Sequence, residues 1–128
     1  MLSQVRWLRV VIAAFLVEVG LAVTGVPLLL LIGDVVLMTV VPVLCVVVPF
    51  VVAWFATRKL PGARVLHGAL IGIVATAMYF VLVVVTASIA EASAAYGLPL
   101  FIGVNALRIV SAAAGGYAAD RRSIPSAA

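Results

Sequence analysis

Four apolar stretches, approximately Trp7–Ile32, Val35–Ala56, Val65–Ala90 and Leu98–Ala119, divide the chain. Each reaches or exceeds the roughly 20 residues that a helix needs to cross a bilayer. Hydrocarbon offers a backbone no water, so a segment of that length must satisfy its N–H and C=O groups internally, as a helix does. Composition agrees: of 128 residues, 67% are hydrophobic and 9% charged, with a mean hydropathy of +1.41, far above the roughly half-apolar make-up of soluble domains. The expectation is an all-α polytopic membrane protein, an up-down bundle of four transmembrane helices forming one integral membrane domain over residues 1–128.

The loops orient that bundle. Short loops rich in Lys and Arg stay in the cytoplasm. Arg6 and Arg9 stand at the start of the first stretch, Arg58, Lys59 and Arg64 separate the second from the third, and Arg121 and Arg122 follow the fourth. The other two loops carry only Asp34 and Glu91. Both termini are therefore expected in the cytoplasm, with the chain a multi-pass protein of the cytoplasmic membrane. Trp7, Trp54, Tyr96 and Tyr117 fall near the ends of the stretches, where amphipathic rings favour the headgroup level. The first stretch is longer than the roughly 7–15 residues of a signal-peptide core, so it is expected to remain as a helix. The connections LIGDVV, TRKLPGARV and AEASAAYG are short, which predicts consecutive helices as antiparallel neighbours, and the tail SIPSAA is expected to fray.

Several function classes fall away. The net charge of +4 arises from short basic clusters between apolar runs, not from a basic face on a soluble fold, so nucleic acid is not expected as a partner. Cys45 is the single cysteine, which excludes an intrachain disulfide and leaves no thiol cluster for a metal. No serine sits in a nucleophile motif, and Gly115-Gly116 follows no strand that would make it a phosphate loop. Neither an enzymatic role nor a cofactor or metal is expected.

Two charges, Glu18 and Arg108, lie deep within the apolar stretches. Glu18 lies about 14 Å along its helix from Arg9, and Arg108 about 17 Å from Ala119, at 1.5 Å per residue. Each costs about 2.5–3.5 kcal/mol in mid-bilayer even on lenient insertion scales, so each should face protein and have a partner. Their matched depths predict a buried Glu18–Arg108 pair that closes the bundle between its first and last helices. Around Glu18, Ala14, Ala22 and Gly25 form a small-residue stripe, with Phe15, Leu16 and Leu21 off it. Asn105, Arg108, Ala112, Gly115 and Ala119 form another, and Gly68, Gly72, Thr76, Tyr79 and Thr86 a third that opens with a G-x-x-x-G spacing. Such stripes let helices approach closely in lipid. Gly68, Gly72, Ala112 and Gly115 are accordingly expected to pack helices, whereas Glu18, Arg108, Asn105 and Tyr79 could instead line a polar path. Pro42 and Pro49 share a face of the second helix and leave the carbonyls of Met38 and Cys45 without their usual donors, which predicts kinks. His67, alone at the entry to the third helix, is expected to make an interfacial hydrogen bond.

Two resemblances add to this. FLVEVG around Glu18 resembles the first-helix motif of small multidrug resistance exporters, four-helix proteins of similar size that bind protons or cationic drugs through a glutamate. The likeness implies that Glu18 is a proton- and substrate-binding carboxylate, although the third stretch lacks that family's aromatic-glycine signature. RWLRVVIAAFLVEV, ARVLHGALIGIVATAMY and SAAAGGYAADRR are similar, in order and spacing, to uncharacterised bacterial four-helix inner-membrane proteins, which implies a small bacterial inner-membrane protein and assigns no activity. Together these point first to a structural or accessory subunit, or an oligomer-forming bundle with a membrane protein or second copy as partner. The alternative is a small proton-coupled transporter using Glu18.

Overall fold

The computed structural model describes residue 3 and residues 5–122 of the chain; the expectation for the tail SIPSAA lies outside the described residues. They form helices α1 (Trp7–Ile32), α2 (Val35–Thr57), α3 (Arg64–Thr86), α4 (Ile89–Tyr96) and α5 (Leu98–Arg121), with no strand among them. α1, Met38–Thr57 of α2, α3 and α5 are long and apolar enough to cross a membrane. Apolar side chains such as Leu8, Phe15, Leu30, Leu31 and Val85 point outward, as a lipid-facing surface requires.

One boundary departs from expectation. The third helix stops at Thr86 instead of running to Ala90, and the expected loop holds the short helix α4. Ala87 is extended, and Ser88 and Glu91 then form a capping box: the Glu91 N–H donates to Ser88 Oγ at 3.1 Å, and the Ser88 N–H donates to Glu91 Oε2 at 3.1 Å. Two otherwise orphaned donors are thereby satisfied, which starts a helix where a loop would also fit. Gly97, at φ +76°, separates α4 from α5. Tyr96 ends α4, and its side chain lies outside the described residues.

The packing order of the helices also departs from expectation. The most extensive contacts join α5 to α3 and to α2, while α1 packs on α2 and α3 and the α2–α3 contact is smaller. α5 thus sits between α2 and α3 opposite α1, so consecutive helices are not uniformly the closest neighbours. The cause is glycine. A Cβ on Gly68 would meet the Ala112 carbonyl, one on Gly115 the Phe50 carbonyl, and one on Gly116 the Arg64 carbonyl; on Gly72 it would lie 2.7 Å from Ile109 Cα. Both flanks of α5 therefore touch neighbouring backbone, a separation only small residues allow.

Contacts along α3 and α5 run in opposite order, Gly68 with Gly116 and Gly72 with Ile109, whereas those along α2 and α5 rise together, Val46 with Ser111 and Phe50 with Gly115. The Ser111 hydroxyl donates to the Val46 carbonyl, beside the Cys45 carbonyl from which the Pro49 ring withholds a donor. Pro42 and Pro49 both lie inside α2.

The core gathers at one end. Val10, Ala13, Ala14, Val17, Ala53, Ile71, Ala75 and Ala112 are buried together, all in the half nearer the basic loops. There Arg64 pairs with Asp120 at 3.3 Å, the Arg9 guanidinium donates to the Ala56 carbonyl at 3.3 Å, and Arg58 and Arg122 lie over the Trp54 ring at 5.6 and 5.4 Å. Trp7 and Tyr117 are half exposed, and the Arg121 Nε–H donates to the Tyr117 hydroxyl at 2.7 Å.

His67 is buried at this end. Its Nε2 accepts the Arg6 N–H at 3.1 Å, at the start of α1, and its Nδ1 lies 2.8 Å from the Ala63 carbonyl. A carbonyl only accepts, so Nδ1 carries the ring proton. The imidazole therefore joins the starts of α1 and α3, and it braces Ala63, a non-glycine residue at φ +52°. His67→Ala is expected to lower stability by about 1–3 kcal/mol, the cost of orphaning buried polar groups, seen as a lower midpoint of thermal unfolding in detergent.

Candidate functional site at the centre of the bundle

Beyond the tightly packed half the four long helices spread. Glu18 comes from the middle of α1 and Arg108 from the middle of α5, and Arg108 Nη2 pairs with Glu18 Oε1. Because α1 and α5 lie on opposite sides of the bundle, the pair crosses the interior instead of closing a seam between adjacent helices. The partners differ in access: the Arg108 side chain is 3% exposed and that of Glu18 18%. Tyr79 of α3 places its ring under the guanidinium, 5.0 Å from Cζ to the centroid, an arrangement that favours a cation in a dry setting. Phe101 and Phe80 continue the aromatic surface, with ring centroids 6.4 Å from Tyr79 to Phe101 and 5.9 Å from Phe80 to Phe101.

One helical turn before Arg108, Asn105 donates through Nδ2 to the Phe101 carbonyl at 2.8 Å. Its Oδ1 is buried with no hydrogen-bond partner among the described residues, as are Arg108 Nε and Thr76 Oγ1. Orphaned polar atoms in an apolar interior are costly. Asn105 and Arg108 border space: a cavity of about 300 Å³ is lined by Glu18, Arg108, Asn105 and Tyr79 at one end and by apolar groups including Leu21, Leu44 and Phe101 along its sides. Its lining comes from the second half of α1, the first half of α2, the later part of α3 and the first half of α5. It therefore occupies the half of the bundle away from the basic loops, with the charges at its inner end.

The structure thus brings Glu18, Arg108, Asn105 and Tyr79 to one cavity wall. Gly68, Gly72, Ala112 and Gly115 are not at the cavity; they are where backbones touch. Pro42 and Pro49 stand apart from the lining, but Cys45, between them, belongs to it. Leu21 also lines the cavity and packs on the core, so the inner face of α1 is wider than its small-residue stripe. Leu21 lies three residues from Glu18, a spacing that placed it on the same helix face. Thr86, the last member of the α3 stripe, is exposed and donates to the Leu82 carbonyl at 2.8 Å. Cys45, Phe101 and Val104 carried no signal in sequence, because an apolar residue facing a cavity reads like one facing lipid.

Among the described residues no three His, Cys, Asp or Glu side chains come together as a metal site would need. The chain matches no family model, no curated protein and no solved structure.

Proposed function

We propose that this protein is a small, non-enzymatic transporter of the bacterial cytoplasmic membrane, an up-down bundle with both termini in the cytoplasm. Its cavity receives apolar cations from the non-cytoplasmic half of the bilayer. The observation that carries this reading is the cavity of about 300 Å³ ending on the Glu18–Arg108 pair, at the lower edge of the size range of small-molecule sites. Of the two charges the carboxylate is the more accessible, so an entering cation or proton reaches Glu18 before it meets Arg108. Tyr79 and Phe101 supply an aromatic wall suited to an apolar cation. Competition for Glu18 between Arg108 and the entering charge couples the two: a proton or a cation displaces Arg108, and Arg108 returns when either leaves.

The orientation rests on the basic loops alone, and the up-down arrangement is supported by the order of interhelical contacts. A structural or accessory role for a partner helix draws less support, because Gly68, Gly72, Gly115 and Gly116 all face backbone within the chain and offer no flat face to a further helix.

The test is proton-driven movement of ethidium in proteoliposomes. Transport is expected with the native chain and is expected to be lost in Glu18→Gln. Transport that survives Glu18→Gln would remove the carboxylate from the mechanism; no transport by a folded native chain would return the structural role. Labelling single cysteines placed at Asp34 and Glu91 checks orientation. Reaction is expected from outside the cell, and reaction only from the cytoplasm overturns the topology.

A further inference from the structure

A second concave site lies on the outer surface, at the basic end, between α1 and α2. It measures about 540 Å³ and is lined by Leu8, Arg9, Ile12 and Leu16 of α1 and by Val51 and Phe55 of α2, among others. Ile12, Leu16 and Phe55 are each about half exposed, so the groove opens outward to the membrane. Its polarity has a direction. Arg9 stands at one end, using one of a guanidinium's five donors on the Ala56 carbonyl. Arg58 lies over the groove-lining Phe55 ring at that same end, 4.5 Å from Cζ to the centroid. From Arg9 to Leu16 the wall then runs about 10 Å along the helix without another polar side chain, roughly two-thirds of one leaflet's hydrocarbon depth.

We propose that this groove holds one anionic phospholipid, its phosphate at Arg9 and Arg58 and an acyl chain laid along Ile12 and Leu16. Charge and shape single out that occupant. Two cations at the mouth select an anionic headgroup, and basic pockets between transmembrane helices on the cytoplasmic side are suited to such groups. The apolar trough beneath them requires a chain attached to that headgroup, which a free phosphate lacks. The one acid that a second copy would bring to this end, Asp120, already pairs with Arg64 at 3.3 Å. The bound lipid bridges α1 and α2 at the end where Arg9 already links them, and so holds closed the packed half of the bundle below the ion pair. Only the choice of leaflet rests on the proposed orientation; the binding does not rest on transport.

The experiment measures lipid retained by the full chain, by native mass spectrometry from dodecyl maltoside micelles doped with phosphatidylglycerol or phosphatidylcholine. One phosphatidylglycerol per chain is expected in preference to phosphatidylcholine. Arg58→Gln is expected to weaken retention about fivefold, the worth of one interfacial cation. Ile12→Trp, which fills the trough from a lipid-facing position, should reduce retention of the lipid while leaving the helical circular dichroism of the chain unchanged. Arg121→Gln, at a basic residue away from the groove, should leave it unaltered. Equal retention of the two lipids overturns the proposal. So does an equal loss in Arg121→Gln, which would mean diffuse surface charge, or undiminished retention in Ile12→Trp, which would mean a headgroup held without its chain. Ethidium transport is scored separately, so failure of the transporter reading leaves this result intact, and the reverse.

Discussion

Arg108→Leu is expected to destabilise the protein by about 3–5 kcal/mol, because it leaves Glu18 as a lone carboxylate in the bundle interior. Glu18→Leu should cost a similar amount by orphaning the guanidinium, whose Nε already has no hydrogen-bond partner among the described residues. Combining the two should restore most of the loss, since replacing a buried ion pair by apolar groups is often neutral or stabilising. The double variant is nevertheless expected to be inert in transport, which separates what the pair does for function from what it does for the fold. Charge exchange, Glu18→Arg with Arg108→Glu, should also recover stability relative to either single change. Denaturation midpoints in detergent check the series through a double-mutant cycle. If the double variants are no more stable than the worse single one, the two side chains are not coupled.

Gly116→Leu is expected to have an effect as large, about 3 kcal/mol or more, because its first side-chain atom would strike the Arg64 carbonyl and the rest would have to part α5 from α3. Even Gly116→Ala should cost about 1–3 kcal/mol by forcing backbone apart. Gly103 is the contrasting position. It lies on the same helix, and a Cβ there would meet nothing within 4 Å, so Gly103→Ala should gain about 0.5–1 kcal/mol from helix propensity alone. Opposite signs for one substitution at two glycines of α5 would show that packing, not composition, decides their worth. A loss at Gly103 equal to that at Gly116 would contradict the packing described for α5.

The spans were legible because helix formation in an apolar run is a local matter, and the start and end of α1 fall at the expected residues. α4 was missed: S-x-x-E at Ser88 and Glu91 is a helix-start signature, but the apolar residues that ran the third stretch on through Ala90 hid it. The matched depths of Glu18 and Arg108 could be counted from helix rise. That α1 and α5 stand opposite one another could not, because small-residue stripes on three helices admit several packing orders with similar local contacts.

From sequence alone, then, come four membrane-long helices, the segregation of basic residues to alternate loops and the depth of each intramembrane charge, all properties set within one helix or one loop. Tertiary structure decided which faces meet. Gly68, Gly72, Gly115 and Gly116 draw α5 against two neighbours in the basic half, while the bulkier Leu21, Leu44, Leu82 and Phe101 stand around open space in the other. The cavity at Glu18 results from that difference in side-chain volume between the two halves, summed over four helices distant in sequence.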